Sequence, residues 1–330
     1  MENIGTIKLE KGEYFIAINE KTNTVYVSNN HSDSILVVDG STRNIVNQIE
    51  IERPRELVIN LDNNTLYVIS GNAGWDLRDN GAKISMINLT TNEITGSIGE
   101  KEGFGDIKLN QDTKLLYATQ TNSKKVWVID TLSNTIKEKI KVGGKYRSIA
   151  IDEINNIIYL AGREGMWEKL SYALIRGNDN HTEKLARKFV FNPNKVWQLY
   201  HNKNNNKLYA FVEMPSGSEA PPRSSIQIFD INSKSPGKKS KSREAVDGMG
   251  FDQSKNILYF LDVSQGEFSV LNDSLEEIGL FRFTESKAFL DKHLPSQGGS
   301  SSKVAINSAL KLIYIADATA ALLHIIKEQA

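Results

Sequence analysis

A short apolar phrase centred on tyrosine returns seven times along the chain, and no other feature constrains the fold as tightly. "TNTVYVSNN" at 22–30 is followed by "NNTLYVISGN", "TKLLYATQTN", "NNIIYLAGRE", "NNKLYAFVEM", "KNILYFLDVS" and "LKLIYIADAT". The anchoring residues are Tyr26, Tyr67, Tyr117, Tyr159, Tyr209, Tyr259 and Tyr314, spaced by 41, 50, 42, 50, 50 and 55 residues. Two further positions hold the register. Ten before each tyrosine stand Ile16, Leu57, Ile107, Ile149, Leu199, Met249 and Val304, and immediately before it stand Val25, Leu66, Leu116, Ile158, Leu208, Leu258 and Ile313. Both columns are apolar in every copy, so the chain is an array of one repeated unit.

Each unit consists of apolar runs of a few residues, rich in Val, Ile, Leu and Tyr and broken by Asn, Asp, Lys and Gly. These are strands joined by tight turns. Unit one reads "FIAIN" (15–19), "TVYVSN" (24–29), "SILVVD" (34–39) and "IVNQIEI" (45–51). Four antiparallel strands per repeat of this length make one blade of a β-propeller. The last unit has only "KVAIN" (303–307), "LIYIAD" (312–317) and "ALLHII" (321–326), while "IGTIKLE" (4–10) precedes unit one without a partner. The expectation is an all-β, seven-bladed β-propeller of four-stranded antiparallel blades. It forms one domain over 1–330, with the ring closed by the N-terminal strand pairing in the last blade and thereby satisfying exposed strand edges.

The phrases "NTVYVSNNHSDSILVVDGSTRNIVNQI" and "KLLYATQTNSKKVWVIDTLSNTIKEKIKVGGKYRSIAID" resemble YVTN-type β-propeller repeats, with "NTLYVIS" as a further echo. Blades one to three carry the resemblance, and four to seven drift from it. The resemblance implies the propeller fold and leaves the chemistry open, since the family spans surface-layer, envelope and ligand-binding proteins and occasional enzymes.

Composition removes several functions. Lys plus Arg and Asp plus Glu are each 40, so no net field draws in nucleic acid or an anionic membrane. There is no cysteine, which excludes disulfides, thiolate catalysis and Cys-ligated zinc. The opening "MENIGTIKLEKGEYF" lacks the features of a signal peptide, and no apolar run is long enough to span a bilayer. The expectation is a soluble monomer that neither binds nucleic acid nor inserts into a membrane, cytoplasmic as the sequence stands, with the trimmed mature form of an exported protein as the alternative.

The repeat also assigns loops to the two ends of the blades. The turns between the first two strands, from "NEKTN" to "NSALK", are short and uniform, as structural turns are. The opposite end carries the long insertions: "SGNAGWDLRDNGA" (70–82), "AGREGMWEKLS" (161–171), "VEMPSGSEAPPRS" (212–224) and "TESKAFLDKHLPSQGGSSS" (284–302). Long insertions gathered on one face of a repeat array mark a binding face. Within the last of them, 285–294 has helical spacing and reads either as a rim insertion or as a lid.

Eleven residues before each tyrosine, where the innermost strand begins, stand Phe15, Glu56, Asp106, Ser148, Gln198, Gly248 and Lys303. Twelve before, they are Tyr14, Arg55, Gly105, Arg147, Trp197, Asp247 and Ser302. The expected ligand-binding set is Tyr14, Arg55, Glu56, Trp75, Asp106, Tyr146, Arg147, Trp167, Trp197, Gln198, Asp247 and Lys303. Its aromatic walls and charged groups suit a small polar or cationic molecule or a peptide. Trp127, in "KVWVID", belongs to the core.

Catalytic signatures are mostly missing. There is no His-Glu-x-x-His, no GxSxG and no P-loop. His201 and His324 fall on strands and read as inert, leaving His31 and His293 in loops. Glu56 and Asp106, with His31, are the candidates for acid–base work in an alternative reading as a lyase or lactone-type hydrolase. An acid-ligated divalent metal is disfavoured because Lys303, Arg55 and Arg147 compete for the same carboxylates, so no metal or cofactor is assigned. A second alternative is a protein-docking module. The basic run "GKKSKSR" (237–243) reads as a solvated outer turn. Residues at a channel mouth carry little packing, so Glu56 and Asp106 are expected to be replaceable at small cost to the fold.

Overall fold

A computed structural model describes residues 1–72, 81–120, 123–142, 144–163, 170–176, 195–214, 223–231, 235–244, 248–262, 265–283 and 303–329. The turns explain why the repeat folds as it does. Seven residues before each tyrosine lies an Asn or Asp, and its side-chain oxygen accepts backbone N–H groups two or three residues on. Asn19 accepts from Lys21 at 3.1 Å, Asn110 from Asp112 and Thr113 at 3.0 and 3.1 Å, and Asp252 from Ser254 at 2.9 Å. Asn60, Asp152, Asn202 and Asn307 make the same bond in the other copies. Three residues before each tyrosine the backbone turns left-handed, at Asn23, Asn64, Lys114, Asn156, Asn206, Asn256 and Lys311, with φ between 51° and 59°. Asn tolerates that conformation and Lys pays a steric penalty for it.

The chain divides into two compact units, Met1–Arg55 with Ser216–Ser224 and Lys239–Ala330, and Glu56–Pro215 with Ser225–Lys238. In the first unit, Tyr14–Asn19, Thr24–Asn29, Ser34–Asp39 and Asn44–Glu50 form one antiparallel sheet in chain order. Gly248–Asp252, Ile257–Asp262, Glu267–Leu271 and Glu277–Arg282 form another. The third combines Lys303–Asn307, Leu312–Asp317 and Leu322–Lys327 with the N-terminal strand Glu2–Lys8. The N-terminal strand pairs outermost, with Glu2 opposite Lys327 and Lys8 opposite Leu322.

In the second unit, Leu57–Asn60, Thr65–Asn72, Gly81–Asn88 and Ile94–Glu102 form a sheet, as do Phe104–Asn110, Leu115–Gln120, Lys125–Asp130 and Thr135–Lys141. Lys145–Asp152, Ile157–Arg163 and Leu170–Arg176 form a sheet of three described strands. Lys195–Asn202, Lys207–Met214, Arg223–Asp230 and Ser235–Lys239 follow in order, while Arg223 and Ser224, residues of the first unit, pair with Glu244 and Arg243 of that same unit. The fold is a β-propeller built of antiparallel blades. Six sheets among the described residues have four or more strands, one fewer than the sequence reading expects. The fourth repeat has three described strands, and the segment that would supply its outer strand lies outside the described residues. The basic run at 237–243 is also not a free turn, because its first half belongs to the strand Ser235–Lys239, where Gln227 Nε2 donates to the carbonyls of Gly237 and Lys238.

The core lies in slabs between neighbouring sheets. One slab joins Tyr67, Ile69 and Ile84 to Phe104, Ile107, Leu116 and Trp127, with Trp127 edge-on to Phe104 at 5.2 Å. Trp127 is therefore a core residue, as expected. Second strands such as Leu115–Gln120 and Leu312–Asp317 are buried throughout, because both their faces meet a slab. Outer strands such as Asn44–Glu50 are exposed at nearly every position. All seven repeat tyrosines are at most 2 % exposed. Several tie a blade to the next at its turn end. The Tyr67 hydroxyl donates to Asn134 Oδ1 at 2.5 Å, Tyr259 to Glu328 Oε1 at 2.7 Å and Tyr314 to Asn23 Oδ1 at 2.9 Å. A β-carbon on Gly40 would stand 2.1 Å from the Tyr314 hydroxyl, which explains the "DG" that ends the third strand of unit one.

The left-handed turns give a direct test at Lys311, which is exposed. Lys311→Gly should raise stability and Lys311→Val should lower it, each by about 1 kcal/mol, because only glycine escapes the β-carbon clash at positive φ. Urea unfolding of the two variants beside the parent checks this, and equal midpoints would contradict the left-handed backbone.

Candidate functional site

The inner strands of the second unit bring four polar side chains together from three repeats. Phe104–Asn110 carries Asp106 and Lys108, the start of the Leu57–Asn60 strand carries Glu56, and Lys195–Asn202 carries Tyr200. A β-bulge shapes each of the last three inner strands. Pairing jumps from Phe104–Gln120 to Ile107–Ala118, from Tyr146–Gly162 to Ser148–Ala161, and from Val196–Val212 to Gln198–Phe211. A bulge places an extra residue opposite a single partner and re-aims its neighbours. Thr119 Oγ1 accepts the Asp106 N–H at 3.0 Å, restoring a bond the bulge removes from the ladder.

Asp106 is 6 % exposed. Its Oδ2 accepts the N–H of Ile149, on the inner strand of the next repeat, at 2.9 Å, and its Oδ1 lies 3.2 Å from Lys108 Nζ. Burial, with the Glu56 charge adding to it, outweighs Lys108 and the Ile149 N–H and pushes the Asp106 carboxyl up to about 6. For Lys108 the balance reverses. Burial favours the neutral amine, but attraction to Asp106 and Glu56 holds its pKa above the usual lysine value. Burial pushes the Tyr200 hydroxyl up to about 12; Lys108 opposes that shift, and Glu56 and Asp106 add to it. The four groups form one electrostatic cluster in which Lys108 stays an ammonium and Tyr200 stays a phenol.

The residues expected at the site separate into groups. Glu56 and Asp106 do share it. Tyr14 does not line a face: it is fully buried in an apolar cluster with Val25, Leu323 and Ile325, and its hydroxyl donates to the Glu10 carbonyl. Tyr146 is likewise core, packed among Val142, Ile149 and Leu160. Both stand where the chain enters an inner strand, and their large rings fill the slab beside it.

Trp197 is the bulged residue of its strand, half-buried, with its indole N–H donating to Glu213 Oε2 at 2.9 Å. Gln198 is half-buried beside it, paired through the backbone with Phe211. In the first unit, Lys303 Nζ lies over the Phe15 ring, 4.9 Å from its centre, and the Arg55 carbonyl accepts the Ser28 hydroxyl at 2.9 Å. Trp75, Trp167 and Asp247 lie outside the described residues, as do the Arg147 side chain, His293 and the 285–294 segment.

His31 is exposed, and its Nδ1 lies 2.6 Å from Asn30 Oδ1. His201 is enclosed by Tyr159, Asn206 and Asp152, and His324 by Asn3, Phe283 and Asp317. Both are structural. Among the described residues no three His, Cys, Asp or Glu are arranged to hold a metal ion, and no helix is long and apolar enough to cross a membrane.

Sequence reasoning missed Lys108 and Tyr200, although a signal was there. Nine residues before each repeat tyrosine stand Ala17, Val58, Lys108, Ala150, Tyr200, Gly250 and Ala305. The column is small or aliphatic except at the two residues that join the cluster.

No protein-family model matches the chain, and no curated protein matches its sequence. Its structure is similar to that of hydrazine synthase from Kuenenia stuttgartiensis, at 14 % identity over 98 % of this chain and 97 % of that one, with a TM-score of 0.76. At that identity the likeness shows the fold alone. Its breadth points the same way, since 1242 solved chains match.

Asp106 is more than a channel-mouth residue, because losing it strands the buried N–H of Ile149. Asp106→Ala should therefore lower stability by about 1–3 kcal/mol, which corrects the expectation of a small cost. Asp106→Asn keeps an acceptor and should behave differently with pH. The folded-state pKa of Asp106 is raised, so its contribution is fully present below its unfolded value near 4 and is lost as pH rises through about 6. The stability of Asp106→Asn relative to the parent should therefore improve between pH 4 and pH 7. Thermal melts of both across that range check the sign, and a constant difference would mean that Asp106 ionises freely.

Proposed function

We propose that this protein is a ligand-recognition scaffold, a rigid propeller that binds a small molecule or peptide at the inner-strand face of its second unit. One observation carries the reading: Glu56, Asp106, Lys108 and Tyr200 converge from three repeats, and the repeat has small or aliphatic residues at most of the equivalent positions of Lys108 and Tyr200. Charged groups held together inside a protein cost stability unless they pair or serve a ligand. We propose further that the sheets are successive blades of a single seven-bladed ring of YVTN type, closed by the N-terminal strand, working as a monomer. Seven buried tyrosines, seven Asx turns and seven left-handed residues support seven equivalent units.

The enzyme reading draws on Asp106, whose carboxyl, pushed up to about 6, would hold a proton only into the mildly acidic range. Its burial and its bond to the Ile149 N–H favour the binding reading, since a substrate would have to displace a backbone contact.

A thermal-shift screen with anionic, cationic and neutral metabolites tests the proposal. A ligand that binds only the native state stabilises by RT ln(1 + [L]/Kd), about 2.7 kcal/mol at a hundredfold excess over Kd. A metabolite shift that is lost in Glu56→Gln or Tyr200→Phe, with the unliganded midpoint kept, is the expected result. Shifts indifferent to both substitutions, or none across the library, would overturn it.

A further inference from the structure

We propose a second binding surface, separate from the inner-strand cluster: the outer edge of the third repeat takes up an acidic segment of another protein as an added β-strand. Its two strands are Lys125–Asp130 and Thr135–Lys141, the last two of their sheet. Lys125 stands directly opposite Lys141, and Lys139 opposite Trp127. Residues opposite one another across a ladder share a face, so Lys125, Lys139 and Lys141 project from one side of the sheet. Lys139 and Lys141 are exposed and Lys125 is half-buried, with the exposed Lys124 and Lys137 beside them.

Nothing in the fold requires this charge. Among the described residues no carboxylate forms an ion pair with Lys124, Lys125, Lys137, Lys139 or Lys141. The Lys139 ammonium lies over the Trp127 ring, 3.8 Å from its centre, which holds it without neutralising it. Glu138, the one acid of the outer strand, stands opposite Val128 and so on the other face. Asp130 is at the far end of the third strand, where it accepts the N–H groups of Leu132 and Ser133 at 2.8 and 3.2 Å. The equivalent cross-strand pair is different elsewhere. It is Ser34 opposite Glu50 in the first repeat and Glu267 opposite Arg282 in the sixth, where Arg282 Nε lies 3.2 Å from Glu267 Oε2. Two lysines in that place repel one another and weaken the sheet. Lysine on an open edge does deter self-pairing, but that purpose needs charge on the edge strand alone and leaves Lys125, one strand in, unexplained.

The backbone offers its free groups at the same lysines. Thr135–Lys141 has no strand on its outer side among the described residues. The Val142 N–H donates to the Lys124 carbonyl at 2.9 Å. With Lys125 opposite Lys141, that bond makes 124–142, 126–140 and 128–138 the hydrogen-bonded pairs of the ladder, so the N–H and C=O of Lys139 and Lys141 point away from the sheet. A strand added there sets one residue opposite each of these lysines, with its side chain on the lysine face. Glutamate or aspartate at alternate positions, about 7 Å apart, meets both ammoniums. Nucleic acid or an anionic membrane would meet the lysines and leave the edge groups unused, which favours the peptide.

Fluorescence anisotropy of a labelled, capped peptide alternating glutamate and threonine, titrated with the full chain at low salt, tests this. Saturable binding is expected, weakened by about tenfold or more in Lys139→Gln/Lys141→Gln and by added salt. It should be unchanged in Lys11→Gln/Lys21→Gln, which removes the same charge from exposed positions of the first unit. The peptide N-methylated at its glutamates keeps the carboxylates but loses the edge donors, and should bind about tenfold more weakly or worse. Absence of binding, equal affinity in the Lys139/Lys141 variant, or equal affinity of the N-methylated peptide would overturn the inference. So would tighter binding of oligothymidylate or of phosphatidylserine vesicles than of the peptide. Lys141→Glu guards against a variant that fails to fold. An acid opposite Lys125 should raise the thermal midpoint while weakening the peptide by about tenfold or more, and parent-like peptide affinity in that variant would refute the surface.

Discussion

Everything in this molecule depends on one local contact, the Asn or Asp oxygen that accepts backbone N–H groups at the turn between the first two strands. It lets a tight turn form without help from distant parts of the chain, and the left-handed residue after it sends the second strand back antiparallel. Because each turn is specified within a few residues, each sheet has its register set before it meets a neighbour. The side-chain amides then serve a second purpose. Asn110 Nδ2 donates to Asn156 Oδ1 at 2.9 Å, and Asn307 Nδ2 to Asn23 Oδ1 at 2.9 Å, so the residue that makes one turn also grips the turn of the next repeat.

Between these turns the hydrophobic slabs do most of the work. A blade cannot bury both of its faces alone, and its second strand is accordingly apolar on both sides. Tyrosine suits the centre of that strand, since its ring fills the slab while the hydroxyls of Tyr67, Tyr259 and Tyr314 reach a polar group of the neighbouring sheet. An apolar ring of the same size would leave groups such as Asn134 Oδ1 and Asn23 Oδ1 without that donor.

The inner-strand cluster stands apart from this economy. Asp106 has a structural duty toward Ile149, and Lys108 is held by Asp106, so the site is built on the same inter-repeat bonding that stabilises the fold. The bulge at Gly105–Asp106 makes this possible: it gives up one ladder bond, recovers it through Thr119, and leaves a carboxylate facing the next strand. A shift of pairing, without those bonds, marks the backbone at 147 and 197 as well.

The sequence by itself determined the repeat, the strand order within each blade and the buried role of Trp127, because those follow from periodicity and turn chemistry close along the chain. It also pointed to Glu56 and Asp106, where an apolar column gives way to acids. Only the tertiary structure decided that Tyr14 and Tyr146 are core, since an aromatic residue at a strand entrance can turn toward a slab or toward an opening with equal local propriety. Only it could join Tyr200 to Lys108, which lie in different repeats, or show that Asp106 holds Ile149. The physical reason is that repetition fixes each unit by short-range forces, whereas a site made of exceptions to the repeat exists only where packing brings those exceptions together.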